Sequence, residues 1–216
     1  IQRAAGAGGL APEEHVHILA AIKARQPEEA AAAMRAHVER ISRVIQDYNV
    51  VAINLSFGDG ANWQQSAGMY GIGDELTTLA ALGIITVSAA GNGFGLFDSV
   101  PGLAYPAADP NVLAIGAVWD SNRGGPWSFS GAGTDYATGP DRITSFSQRH
   151  AELLDAFAPG ALIGAANAQG GVATMRGTSM AAPFVTGAAV LAQQVARQSL
   201  GRSLTPREFA YLLQTS

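Results

Sequence analysis

The chain has 216 residues, of which 48% are hydrophobic and only 14% charged, with 26 glycines and a formal net charge of −4 at pH 7. This length can bury a sizeable core within one domain, and the weak negative charge offers no footprint for nucleic acid. Cysteine is absent, which excludes a disulfide framework and a thiol nucleophile, and no apolar run is long enough to cross a bilayer.

Residues 1–9 read as a glycine/alanine loop or the tail of an earlier helix. Ala11-Pro12-Glu13-Glu14 leads into an apolar stretch, 16–22, expected as a short buried strand. Pro27-Glu28-Glu29 puts proline and acids in the first turn of a helix, with Met34, Val38, Ile41, Ile45 and Tyr48 at helical spacing as its core face. Residues 50–55 form a β-branched strand that ends in the loop Ser56-Phe57-Gly58-Asp59-Gly60. Leu76, Leu79 and Leu82 mark a second helix closed by Gly83. Residues 84–89 are another strand, ending in Ala90-Gly91-Asn92-Gly93, and 112–117 a further one. The stretch 119–150 is polar, glycine-rich and irregular, with 143–146 as an additional strand candidate. Thr205-Pro206-Arg207-Glu208 is a capping box with proline at the first helical position, so a last helix runs to about Gln214.

Strands alternating with helices at this spacing predict an α/β fold with a parallel sheet. Ligands gather beyond the carboxyl ends of such strands, where both glycine-rich loops fall. No repeat or linker divides the chain, so residues 1–216 are expected as a single domain.

The stretch Arg176-Gly177-Thr178-Ser179-Met180-Ala181-Ala182-Pro183 has the features of a nucleophile mount. Helix N-termini carry unpaired N–H groups and a positive dipole end, which favour negative charge developing on a serine held there. Gly177 permits close backbone approach, and Pro183 is tolerated near a helix start. Phe184, Ala188, Leu191 and Val195 follow at i, i+4, i+7 and i+11, which predicts burial along that face. For Ser179 alone, a helix N-cap would be the commoner explanation.

Several segments in order carry a resemblance. Gly177-Thr178-Ser179-Met180-Ala181-Ala182-Pro183 resembles the nucleophile motif of subtilisin-like serine proteases. Ile53-Asn54-Leu55-Ser56-Phe57-Gly58 is similar to that family's substrate-binding strand, and Ser88-Ala89-Ala90-Gly91-Asn92 to its oxyanion segment. Tyr105-Pro106-Ala107 with 112–117, Ala158-Pro159-Gly160, and Gly9-Leu10-Ala11-Pro12 fall in the family's order as well. The resemblance implies a doubly wound, mostly parallel sheet with helices on both faces, truncated at its N-terminal side. It also implies peptide-bond hydrolysis through an acyl-enzyme on Ser179, with the Asn92 side chain and the Ser179 N–H holding the oxyanion. Ser56, Phe57 and Gly58 on one side and Ala89, Ala90 and Gly91 on the other would flank the peptide substrate, which can add as a strand. Phe57 reads either as part of an apolar subsite or as a core aromatic. Family members often bind structural calcium, but the sequence assigns no metal ligands. Export or the cell envelope is expected from the family alone.

One part of the pattern is absent. A serine needs a base and the base an orienting acid, and the family supplies them in D-[ST]-G and H-G-T-H-like settings that this sequence lacks. Both are expected upstream of Ile1, on a missing N-terminal segment of the same domain, so the chain alone is expected to be inactive. His15 and His17 are assigned to the first strand, His37 to the polar side of a helix and His150 to a loop. His150 with Asp155 is the one pair kept as a substitute. A non-catalytic subtilase-like module that binds peptides or partners is the alternative reading. Loss of the first strands would expose a sheet edge or apolar face and favour self-association.

Overall fold

A computed structural model of the protein describes residues 16–17, 19–21, 23–30, 32–33, 36, 43, 47–68 and 70–215. The chain divides into two compact units, Ile1–Val50 and Val51–Ser216. In the first unit the described residues of 16–23 are helical, with Val16 and Leu19 exposed at 67% and 54%, so the expected buried strand is not formed. Ala20, Ala21, Lys23 and Ala24 are good helix formers, so local propensity favours a helix over a strand here. The helix expected from Pro27 is present, its Ala30 N–H donating to the Gln26 carbonyl at 2.9 Å. Of its expected core face, Met34, Val38, Ile41 and Ile45 lie outside the described residues, and Tyr48 is exposed.

The second unit runs β1 (Ala52–Leu55), α1 (Gly73–Ala81), β2 (Ile85–Ala89), β3 (Leu113–Val118), β4 (Trp127–Phe129), β5 (Gly133–Asp135), β6 (Ala156–Pro159), β7 (Ile163–Ala166), β8 (Val172–Met175), α2 (Thr178–Leu200) and α3 (Pro206–Thr215). Strands β1-β2-β3-β6 form a parallel sheet in that order, while β4-β5 and β7-β8 are separate antiparallel hairpins. The central strands β2 and β3 are buried throughout, as an apolar strand covered on both faces must be. Alternation sorts their side chains. Ile85, Val87, Ala89, Leu113, Ile115 and Ala117 share a cluster with Ala181, Val185, Ala189 and Phe209 of α2 and α3, whereas Val112 and Ala114 cluster with Leu76 of α1. Helices therefore cover both faces.

Two expectations change here. Residues 143–146 form only a bridge from Ile143 to Val118, because the Ser145 N–H is drawn instead to Asp135 Oδ1 at 2.9 Å. On α2, the buried face is Ala181, Ala182, Val185, Ala189, Gln193 and Ala196, while Phe184, Leu191 and Val195 are exposed at 49%, 64% and 59%, and Ala188 is exposed too. The helix is apolar around most of its girth, and the sheet admits the small residues because they let the backbones approach. The predicted capping box is formed: the Glu208 N–H donates to Thr205 Oγ1 at 3.2 Å and the Thr205 N–H to Glu208 Oε2 at 2.8 Å.

Candidate active site

β1, β2 and the start of α2 bring three segments together beyond the carboxyl ends of the strands. Gly177 (φ 135°) takes a backbone conformation that L side chains rarely adopt, and precedes the first turn of α2. Pro183 is the sixth residue of α2 and lacks the N–H that would bond the Ser179 carbonyl. Ser56 satisfies that carbonyl instead, its Oγ donating at 2.8 Å. In return, the half-buried Ser179 Oγ donates to the Ser56 carbonyl at 3.2 Å. Asn54 braces the pair, its Nδ2 donating to Ser56 Oγ at 2.9 Å.

Asn92 faces the same helix start. Its Oδ1 accepts the Thr178 N–H at 2.8 Å and the Thr178 hydroxyl at 3.1 Å. A backbone N–H can only donate, so the atom meeting it must be the carboxamide oxygen, and this fixes the orientation of the amide. Nδ2 and the Ser179 N–H have no acceptor among the described residues. Two donors near one serine hydroxyl can stabilise an anion formed at a carbon that the hydroxyl attacks.

The two expected walls differ in what they can offer. Phe57 is exposed at 56%, so it is not a core aromatic. The N–H and C=O of Phe57 and Gly58 carry no hydrogen bond among the described residues, whereas the Asp59 N–H donates to the Tyr105 carbonyl at 2.9 Å. On the other side, Ala89 and Ala90 are buried at 3% and 0% exposure. The Ala90 N–H and C=O are used by Ile115 and Ala104, and those of Gly91 by Thr178 Oγ1 and the Gln148 N–H. Ser56, Phe57 and Gly58 thus form an open edge and Ala89, Ala90 and Gly91 a closed wall.

Gly102 to Tyr105 runs between the two walls as a floor. Asp59 locks it: burial raises this carboxyl's pKa, but hydrogen bonds from Trp63 Nε1, the Ala61 N–H and the Tyr105 N–H outweigh that and hold it below the usual value. His150 and Asp155 do not act as a pair. His150 Nδ1 accepts the Glu152 N–H at 3.2 Å, and Asp155 Oδ2 the Ala114 N–H at 2.7 Å. Burial pushes the Asp155 carboxyl above its ordinary value. His17 is helical and exposed, 3.9 Å from Glu29, while His15 and His37 lie outside the described residues. Among the described residues, no group of three or more His, Cys, Asp or Glu could hold a metal ion.

The model of the Subtilase family matches residues 2–216 of the chain. The chain belongs to the Subtilase family. It is 33% identical over 143 residues to Subtilisin E of Bacillus subtilis (strain 168), covering 66% of this chain and 30% of that protein. It is 30% identical over 161 residues to an Extracellular basic protease of Dichelobacter nodosus, covering 74% of the chain and 23% of the relative. The chain thus spans under a third of the length of these curated relatives. Among solved structures, it resembles the self-cleaved protease domain of PatA, with TM-score 0.60 and 26% identity over 85% of this chain and 58% of that one. A cold adapted subtilisin-like serine proteinase matches with TM-score 0.53 and 26% identity, over 76% and 47%. The fold is subtilisin-like α/β.

Sequence reasoning missed three contributors. Thr178, inside the quoted motif, reads as a spacer until its hydroxyl is seen to meet both Asn92 and Gly91. Pro183 matters for the bond it withholds. Gln148 sits in an irregular stretch, and no sequence signal marks it.

Proposed function

We propose that this subtilase hydrolyses peptide bonds through an acyl-enzyme on Ser179. The Ser179 Oγ attacks the scissile carbonyl carbon, the oxyanion is held by Asn92 Nδ2 and the Ser179 N–H, and the amine leaves with a proton from a general acid. The observation that carries this reading is the acceptance of the Thr178 N–H by Asn92 Oδ1, which leaves Nδ2 as the free donor. Phe57 and Gly58 pair with an extended substrate through their main chain, since their backbone groups are unused. The base and its orienting acid come from residues upstream of Ile1. No described residue accepts the Ser179 proton except the Ser56 carbonyl, which cannot serve as a base at neutral pH. Export from the cell fits the printed name of the Dichelobacter nodosus relative, and no described helix is long and apolar enough to cross a membrane.

The test is turnover of a peptide p-nitroanilide by the protein including the residues encoded before Ile1. Hydrolysis abolished by Ser179→Ala is expected. Peptide binding without hydrolysis would instead make the protein a non-catalytic subtilase-like module.

A further inference from the structure

Gln148 is only 1% exposed, yet every polar group of its carboxamide is directed to the cleft walls. Its Oε1 accepts the Gly93 N–H at 3.3 Å, and its own backbone N–H donates to the Gly91 carbonyl at 2.9 Å. Those are the two residues that flank Asn92. From the other end, Nε2 donates to the Ala61 carbonyl at 3.0 Å and to Asn62 Oδ1 at 2.8 Å, on the loop that continues from Ser56, Phe57 and Gly58. Asn62 in turn donates to the Val100 carbonyl at 3.1 Å, and the Arg149 carbonyl accepts the Gly102 N–H at 2.9 Å, so the floor is stitched to the same network.

We propose that Gln148 is a positioning residue that braces the two walls of the cleft and holds Asn92 where an oxyanion would form. The inference rests on the proposed role of Asn92. Asn92 is tethered through its side chain by Thr178, and its backbone is tethered on both sides by Gln148. Removing the second tether lets the residue swing on the first, and misplacement of a catalytic group by about 1 Å costs on the order of a hundredfold in rate. The site is built for this side chain. A Cβ at Gly91 (φ 110°) would fall 2.0 Å from Gln148 Oε1, so glycine there makes the room that the carboxamide occupies. Only a carboxamide both accepts from Gly93 and donates twice across the cleft. Glutamate would keep the acceptor and lose the donors, and methionine would keep the volume and lose both.

The experiment compares Gln148→Met and Gln148→Glu by two readouts. In the 216-residue chain, amide hydrogen exchange at Gly93 is expected to accelerate by about tenfold or more in Gln148→Met and far less in Gln148→Glu. In the protein with its residues before Ile1, Gln148→Met is expected to lower kcat about tenfold with KM within about twofold, an effect that disappears in an Asn92→Ala background because the two residues act through one donor. A brace that served only stability would lower kcat by the same factor in both backgrounds, and that result overturns the proposal, as does unchanged exchange at Gly93. If the wild type shows no turnover at all, the protease reading fails, and Gly93 exchange alone decides whether Gln148 braces the loop.

Discussion

Asn92 Oδ1 accepts the backbone N–H of Thr178 at 2.8 Å and the hydroxyl of the same residue at 3.1 Å, so one side chain is oriented by two donors from the start of α2. The Thr178 hydroxyl also accepts the Gly91 N–H at 3.1 Å, closing a ring between the loop that carries Asn92 and the serine-bearing helix. Replacing Asn92 with alanine is expected to lower kcat with little change in KM. The size should be that known for the oxyanion asparagine of subtilisin, roughly 10²- to 10³-fold, read by steady-state kinetics on a peptide substrate.

Thr178→Val keeps the backbone donor to Asn92 and removes the hydroxyl. The expected loss in kcat is smaller, about fivefold, corresponding to a hydrogen bond worth about 1 kcal/mol. The same change leaves the Gly91 N–H without its acceptor, so a lower Tm should accompany it in a thermal melt.

Pro183 and Ser56 make a second exchange that mutagenesis can separate. Ser56→Ala should destabilise the protein by about 1–2 kcal/mol, because the Ser179 carbonyl freed by Pro183 loses its donor. Pro183→Ala restores a backbone N–H four residues on, and in the double variant part of the loss should return. Urea unfolding midpoints measure both.

Glu208 is held down to about 2, from an ordinary value of 4.5, first by its hydrogen bonds with Arg202 and then by the Thr205 N–H. A depressed carboxyl favours the fold above its ordinary value, and that contribution fades as pH falls from about 4.5 towards 2. Both groups lie on the surface, so the effect is local. Protection of the α3 amides relative to their intrinsic exchange rates should fall over this window in the wild type, and Glu208→Gln should flatten that pH dependence.

Asp155 behaves oppositely. Burial raises its carboxyl, so its contribution to stability is present below the ordinary carboxylate value and is lost as pH rises through the raised one. Asp155→Asn keeps an acceptor for the Ala114 N–H and removes the buried charge, so a Tm a few degrees higher at pH 7 is expected, on the order of 2–4 °C for each kcal/mol. The difference should shrink in acid. Asp155→Ala should instead lower Tm, because it leaves that N–H unpaired.

Much of this architecture was legible in the residues. Apolar β-branched runs ending in Gly-rich loops located β1 and β2, and Thr205 with Glu208 announced α3, because both signals are local. The order of Ser56, Asn92 and Ser179 was legible as a family pattern. The buried face of α2 was not: Phe184, Leu191 and Val195 have the right spacing, but a helix apolar nearly all round does not reveal which side meets the sheet. The stretch 16–22 misled for a related reason, since a short apolar run fits a helix as well as a strand. Gln148 was invisible because its role depends on Gly91, Gly93, Ala61 and Asn62, which are far from it in sequence.

The most direct measurement is reaction with a fluorophosphonate probe followed by mass spectrometry of the modified peptide. The protein carrying its residues before Ile1 should be labelled on Ser179, with labelling lost in Ser179→Ala, and the 216-residue chain alone should label slowly or not at all. Fast labelling of the 216-residue chain would contradict the account of where the base resides. Labelling at another serine in the longer protein would contradict the assignment of Ser179 as the nucleophile.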